Sequence, residues 1–205
     1  MRSRVDMKII LASGSPRRHE LLAAAGVEFE VIPSPAEELH DTSLGMARLC
    51  EENARLKAMA VAIHHQDCLV IGADTLVFLD GEPLGKPADI EEARLMLRRL
   101  AGREHQVCTG VCLVGPGEQV KGFHQITRVG FRELDDAAIS EYLSKTQPLD
   151  KAGAYGIQDH GEMIIQNIHG AFDNVMGLPV EKVIGEIAEM VERIRHQVSP
   201  LARHD

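Results

Sequence analysis

Four short segments of this chain carry residue types suited to gripping phosphate or activating water. The first is Ser13-Gly14-Ser15-Pro16-Arg17-Arg18, which lies between a β-rich run and a helix. Unpaired N–H groups at a helix start, two hydroxyls and two guanidinium groups together make a phosphate cradle. The plainer reading is a capped helix whose arginines are solvated. Neither GxxxxGK[ST] nor GxGxxG is present, so the segment is not a P-loop or a dinucleotide fingerprint. The second is Asp74, directly after the apolar run Leu69-Val70-Ile71-Gly72-Ala73. A carboxylate beyond the carboxyl end of a strand can act as a base or metal ligand, or it can hydrogen-bond its own turn.

Lys57 is picked out by periodicity. At 100° per residue from Met46, the positions Cys50, Asn53, Lys57, Ala60 and Val61 fall within about 60° of one central line, on the face expected to be buried. An inward ammonium needs an anion or a carboxylate, unless its tip reaches water. The fourth segment is Leu84-Gly85-Lys86-Pro87, a lysine held between special backbone positions. Glu37 and Glu38 are loop carboxylates available to a divalent metal. Within the glycine-rich stretch Asp150 to Gln158, backbone can approach a ligand closely, and Gln158 offers an amide that both donates and accepts.

The elements that must position these groups alternate between strand and helix. Strands are expected over Lys8–Ser13, Val27–Pro33, Cys68–Ala73, Gln106–Val114, Gln119–Phe131 and Glu162–Ile168, with a hairpin at Asp80-Gly81 after Thr75–Leu79. Helices are expected over Arg17–Ala25 with Ser15 as N-cap, Ser43–His64 capped by Thr42 or Ser43, Ile90–Leu100, Asp135–Ser144 and Val180–Ile194. The last should bury Val180, Val183, Ile184, Ile187 and Val191 on one side. Strands with helical crossovers plus hairpins imply an α/β protein with a mixed sheet.

Composition narrows the function classes. The chain has 205 residues, 22 Lys+Arg and 31 Asp+Glu, giving a formal charge of −9, which disfavours a general grip on a nucleic acid polymer. Aromatic residues are few, with no Trp, so base-stacking platforms are not expected. No apolar run is long enough for a membrane span, and the opening MRSRVDMK lacks the apolar core of a secretory signal, so a cytoplasmic address is expected. Cys50, Cys68, Cys108 and Cys112 lack paired CxxC spacing and are read as buried thiols. A metal site joining His64, His65 and Cys68 to the later pair is the alternative.

In order along the chain, LASGSPRRHELLAAAG at 11–26, Lys57-Ala58, IGADTLV at 71–77, LGKP at 84–87, HQVCTGV at 105–111, DKAGAYGIQ at 150–158 and NVMGLP at 174–179 resemble the Maf-like proteins. The resemblance covers nearly residues 7 to 190 and implies one domain over 1–205, with 1–6 and about 192–205 as unmatched tails. It implies a Maf/inosine-triphosphatase-like α/β fold, a central mixed sheet flanked by helices, with the active site in a cleft between two lobes. Also implied are hydrolysis of a nucleoside triphosphate to the monophosphate and pyrophosphate, a divalent metal (Mg²⁺ or Mn²⁺) and a homodimer. The family's catalytic base falls on Asp74, its substrate contacts on Ser13, Arg17, Arg18, Lys57, Thr75, Lys86 and Gln158, and its metal-binding carboxylates on Glu38 and Asp74. Arg17, Thr75 and Gln158 match the dTTP/UTP-preferring branch; the 7-methyl-GTP branch is the alternative, as is a non-catalytic nucleotide-binding regulator of septum formation. This chain departs from the family pattern at Gly170-Ala171-Phe172, which replaces a GSY, and at Asp159-His160.

Overall fold

A computed structural model describes residues 7–117 and 119–198. The expected tail 1–6 and the end of the other tail, 199–205, lie outside the described residues. The chain runs β1 (Ile9–Leu11), α1 (Pro16–Ala24), β2 (Glu30–Val31), α2 (Met46–Ala62), β3 (Leu69–Leu79), β4 (Glu82–Leu84), α3 (Ile90–Leu100), β5 (Glu104–Gly115), β6 (Gln119–Phe131), α4 (Asp136–Lys145), β7 (Ile165–His169), α5 (Phe172–Met176) and α6 (Val180–Val198). The sheet is mixed, in the order β2-β1-β3-β5-β6-β7, with β4 also paired to β3. β1 is parallel to β2 and β3, and the remaining pairs are antiparallel.

β3 is the spine. It pairs with β5 from Val70↔Val114 to Phe78↔Gln106. On its other edge β1 stops at Leu11↔Ile71, and β4 begins at Val77↔Leu84. Among the described residues no strand covers positions 72–76 of that edge. The sheet therefore splits on one side of an unbroken strand, and hydrophobic clusters gather at either end. At one end α2 packs Ala54, Ala58 and Val61 against Val70 and Cys112, while α6 packs Val183, Ile187 and Met190 on the opposite face against Leu69 and Ile71. At the other end α3 and α4 pack Leu97, Leu100, Ile139 and Tyr142 against Val77, Leu79 and Phe131.

Two glycines let α2 lie almost on the strands. A Cβ on Gly72 would stand 2.6 Å from the Ala58 nitrogen. On Gly110, the partner of Asp74 in β5, it would run into the Cys50 carbonyl. Only glycine permits so close a backbone approach.

Several expectations change in detail. Asp74 does not follow a strand; β3 continues through it to Leu79, because β5 is long enough to pair throughout and Thr75–Leu79 suit a half-buried strand. Gly45, not Thr42 or Ser43, precedes α2. Asp41 instead caps a single 3₁₀ turn at Thr42–Leu44 by accepting from the Ser43 N–H. Ser15 precedes α1 without a side-chain cap, and its own N–H donates to Ser13 Oγ at 3.3 Å. The second strand shrinks to two residues, and a 3₁₀ turn at Gly161–Met163 delays the last strand to Ile165. Ile184 is 38% exposed rather than packed. The four cysteines are free and buried, and no group of three metal-ligating side chains gathers among the described residues. No described helix is long and apolar enough to cross a membrane.

Candidate active site

The gap beside β3 opens into a cleft of about 850 Å³ lined by Ser13, Arg17, Arg18, Glu38, Lys57, Asp74, Thr75, Lys86 and Gln158. Every site residue that the family resemblance implies therefore meets in one place. Glu37 is exposed and is not part of this lining.

Strand alternation divides the floor. Asp74 shares a face with Gly72 and so points at α2, whereas Thr75 points to the opposite face. The close approach of α2 places Lys57 Nζ 2.7 Å from Asp74 Oδ1 and 2.6 Å from Glu38 Oε1. The Lys57 side chain is 14% exposed and that of Asp74 5%, so the inward lysine has met its carboxylate as burial requires. Asp74 Oδ2 accepts from Asn53 Nδ2 at 3.0 Å. Both carboxylate oxygens are thus held from α2.

On the other face Arg18 is tied at three points. Its Nε donates to the Gly177 carbonyl at 2.8 Å, Nη1 to Ser13 Oγ at 3.1 Å and Nη2 to Thr75 Oγ1 at 3.0 Å. Burial lowers its pKa, while Asp74 and Glu38 act to raise it; a guanidinium so placed remains charged. Thr109 gives its hydrogen to the Asn174 carbonyl, so in the 2.9 Å Thr75–Thr109 contact Thr75 is the donor. The Thr75 hydroxyl accepts from Arg18 and donates to Thr109, and so anchors Arg18.

NVMGLP has a structural task. Asn174, fully buried, donates from Nδ2 to the Val107 carbonyl and to Thr127 Oγ1. This pins α5 to β5 and β6. Gly177, at φ 122°, then turns the chain so that its carbonyl faces Arg18.

The opposite wall carries Lys86, after β4, and Gln158, both exposed. Gly153 N–H donates to the Gly85 carbonyl at 3.0 Å, joining their loops. Arg17 reaches across the mouth to Asp150 at 3.0 Å. Beside it Lys151, buried, contacts Asp150 at 2.9 Å and Asp159 at 3.1 Å. Burial raises the Asp150 pKa, but hydrogen bonds from Lys151 and Arg17 outweigh it and leave the value lowered. Asp159, one of the departures from the family pattern, therefore serves the packing of Lys151. Asn53, Asp150 and Lys151 were not singled out from sequence. A buried amide one turn before Lys57 was the available signal for Asn53.

Glu38 and Asp74 converge on one ammonium, and both offer hard oxygen ligands. Two carboxylates suit a Mg²⁺ or Mn²⁺ ion whose remaining positions are filled by substrate phosphates and water, and not an all-protein cage.

Comparison with known proteins identifies the family. A family model described as Maf-like protein matches residues 8–190. A dTTP/UTP pyrophosphatase of Akkermansia muciniphila is 52% identical over 86% of this chain and 93% of its own length. One from Aquifex aeolicus is 45% identical over 90% and 96%, and one from Bacillus cytotoxicus 43% over 92% and 98%. A solved dITP/XTP pyrophosphatase of Mycobacterium abscessus aligns over 96% of this chain and all of its own at 17% identity and a TM-score of 0.46, too distant to bear on the reading. A family model running from β1 into α6 and near full-length relatives lead to one assignment: this chain belongs to the Maf-like protein family.

Proposed function

We propose that the protein hydrolyses dTTP or UTP to the nucleoside monophosphate and pyrophosphate, and so clears such nucleotides from the cellular pool. The observation that carries this reading is the Asp74 carboxylate, fixed at both oxygens in a cleft ringed by Arg17, Arg18, Lys57 and Lys86. Near full-length relatives named dTTP/UTP pyrophosphatase support the substrate class.

Asp74 orients a water molecule and takes its proton as the water oxygen bonds to the α-phosphorus. The bond from that phosphorus to the bridging oxygen breaks, and pyrophosphate leaves with the electron pair. Ser13 accepts from Arg18 and from the Ser15 N–H, which leaves its own hydrogen to donate to a phosphate oxygen. Arg18, preset by Thr75, Ser13 and Gly177, offers its remaining N–H groups along a fixed direction. Arg17 exchanges Asp150 for phosphate, and Lys57 and Lys86 neutralise charge on the transferring and leaving groups. A divalent metal held by Glu38 and Asp74 would withdraw charge from the phosphate oxygens. Gln158 reads the pyrimidine edge through its donor and acceptor.

The test is pyrophosphate release from a panel of dTTP, UTP, 7-methyl-GTP and the common purine triphosphates, with and without Mg²⁺ or Mn²⁺. We expect preference for dTTP and UTP, and a fall of roughly 10²–10⁴-fold in kcat for Asp74→Asn. Preference for 7-methyl-GTP, or tight nucleotide binding without turnover, overturns the reading.

A further inference from the structure

Asn53 lies on α2 one turn before Lys57, a spacing that puts the two side chains side by side. It is 1% exposed. Its Oδ1 accepts the Leu39 N–H at 2.7 Å, and its Nδ2 donates to the Leu39 carbonyl at 3.2 Å and to Asp74 Oδ2 at 3.0 Å. Leu39 follows Glu38, whose carboxylate meets Lys57. Two neighbouring side chains of one helix therefore each hold the same pair of partners, the loop with Glu38 and Leu39, and the Asp74 carboxylate.

We infer that Asn53 is a positioning residue for the reaction, setting the orientation of the Asp74 carboxylate and tying it to the docked Glu38 loop. The amide can face only one way. Flipping it would turn the Nδ2 hydrogens against the Leu39 N–H and an oxygen against the Leu39 carbonyl and Asp74, three repulsive contacts in place of three bonds. The Leu39 backbone thus fixes which end of the amide faces Asp74. With Oδ2 taken by Asn53 and Oδ1 by Lys57, rotation of the carboxylate about its last bond is blocked, and its remaining lone pairs keep one direction. Stapling the loop alone requires only the two Leu39 bonds; the third is surplus to that task and complete only with Asp74 in place. This role rests on the proposed reaction with Asp74 as the base.

Two variants separate orientation from stapling. Asn53→Asp keeps shape and the shorter of the two Leu39 bonds, the one from the Leu39 N–H, but replaces the donor to Asp74 and the Leu39 carbonyl with a second carboxylate, whereas Asn53→Ala removes every contact. Each is made alone and with Asp74→Asn, and each is followed by kcat and KM for dTTP and by hydrogen exchange of the Leu39 amide. For Asn53→Asp we expect a loss of about 10–100-fold in kcat, KM within roughly threefold and Leu39 still protected. For Asn53→Ala we expect the same kcat loss with Leu39 exchange accelerated at least about tenfold. Neither change should lower the residual rate of Asp74→Asn further, because a residue acting through Asp74 is silent without it. Wild-type kcat in Asn53→Asp, or an undiminished kcat loss in the Asp74→Asn background, overturns the positioning role. Full turnover by Asp74→Asn alone overturns the proposed reaction instead, and the inference with it.

Discussion

Gly72→Ala places one methyl group where the fold has no room and so tests how the helix and the strand create the site. The new Cβ would lie 2.6 Å from the Ala58 nitrogen and 2.9 Å from the Ala58 Cβ, with the Ala54 carbonyl also in its way, whereas ordinary contact begins at 3.4 Å. Because the obstacle is mostly helix backbone, α2 must retreat by roughly 1 Å instead of rotating a side chain aside. The Lys57–Asp74 contact of 2.7 Å would then stretch beyond hydrogen-bonding range. Overpacking of this kind costs about 1–3 kcal/mol, reduced by roughly 0.5–1 kcal/mol because alanine suits a strand better than glycine. For a domain of this size the net loss of about 0–2.5 kcal/mol corresponds to a fall of up to roughly 10 °C in Tm. Misplacement on the 1 Å scale costs about 10²-fold in turnover. Calorimetry and a pyrophosphate-release assay measure both effects. Gly122→Ala, which meets nothing within 4 Å, is the control expected to match wild type. A Gly72→Ala protein with wild-type Tm and kcat would refute the view that close helix–strand approach builds this site.

Lys57→Met removes the only cation that touches Asp74 among the described residues, in a site where that carboxylate is 5% exposed. Stability should fall by about 3 kcal/mol, and adding Asp74→Asn should restore Tm without restoring turnover; thermal unfolding of the three variants decides. His105, buried against Tyr155 at 2.7 Å, has its pKa lowered by burial to about 4. With the folded value below the unfolded value of 6.5, the unfolded chain binds more protons, so stability is highest above pH 6.5 and falls as pH drops towards 4. The loss amounts to roughly 3 kcal/mol. His105→Phe should flatten that part of the Tm–pH curve, although the unpaired Tyr155 hydroxyl lowers Tm at every pH. Parallel curves for the two proteins would show that His105 does not carry the acid sensitivity.

Much of the site was legible because its parts are local signals. SGSPRR combines hydroxyls, guanidinium groups and a helix start within six residues, and the inward direction of Lys57 follows from helical period alone. Periodicity could not reveal what Lys57 meets, since Glu38 and Asp74 arrive from other elements. The apolar run before Asp74 marked a strand, but its continuation to Leu79 depends on the length of β5, a pairing invisible in the strand itself. Thr75 shows the same limit. Its hydroxyl holds Arg18 and Thr109, partners that arrive from other elements and leave no mark beside it in the sequence. Glycine identity at positions 72 and 110 carried information that a sequence reading passes over, because a glycine within a strand does not announce which backbone lies above it.

One strand supplies both flanks of the cleft. β3 is hydrogen-bonded along nearly its whole length to β5, and β5 to β6. A hinge that swung one half of the molecule against the other would have to bend this three-stranded slab and break its ladders together. The slab acts as a rigid bed, and any closing over a nucleotide falls to the exposed loop that holds Glu38 and Leu39, since the stretch after Asp150 is anchored by Ala154 and Tyr155 in the core. The ties of that exposed loop are few and separable, chiefly the Lys57–Glu38 and Asn53–Leu39 contacts. A closing of that loop would leave the Asp74 carboxylate where the paired strands hold it, so the base keeps its place while its cover moves.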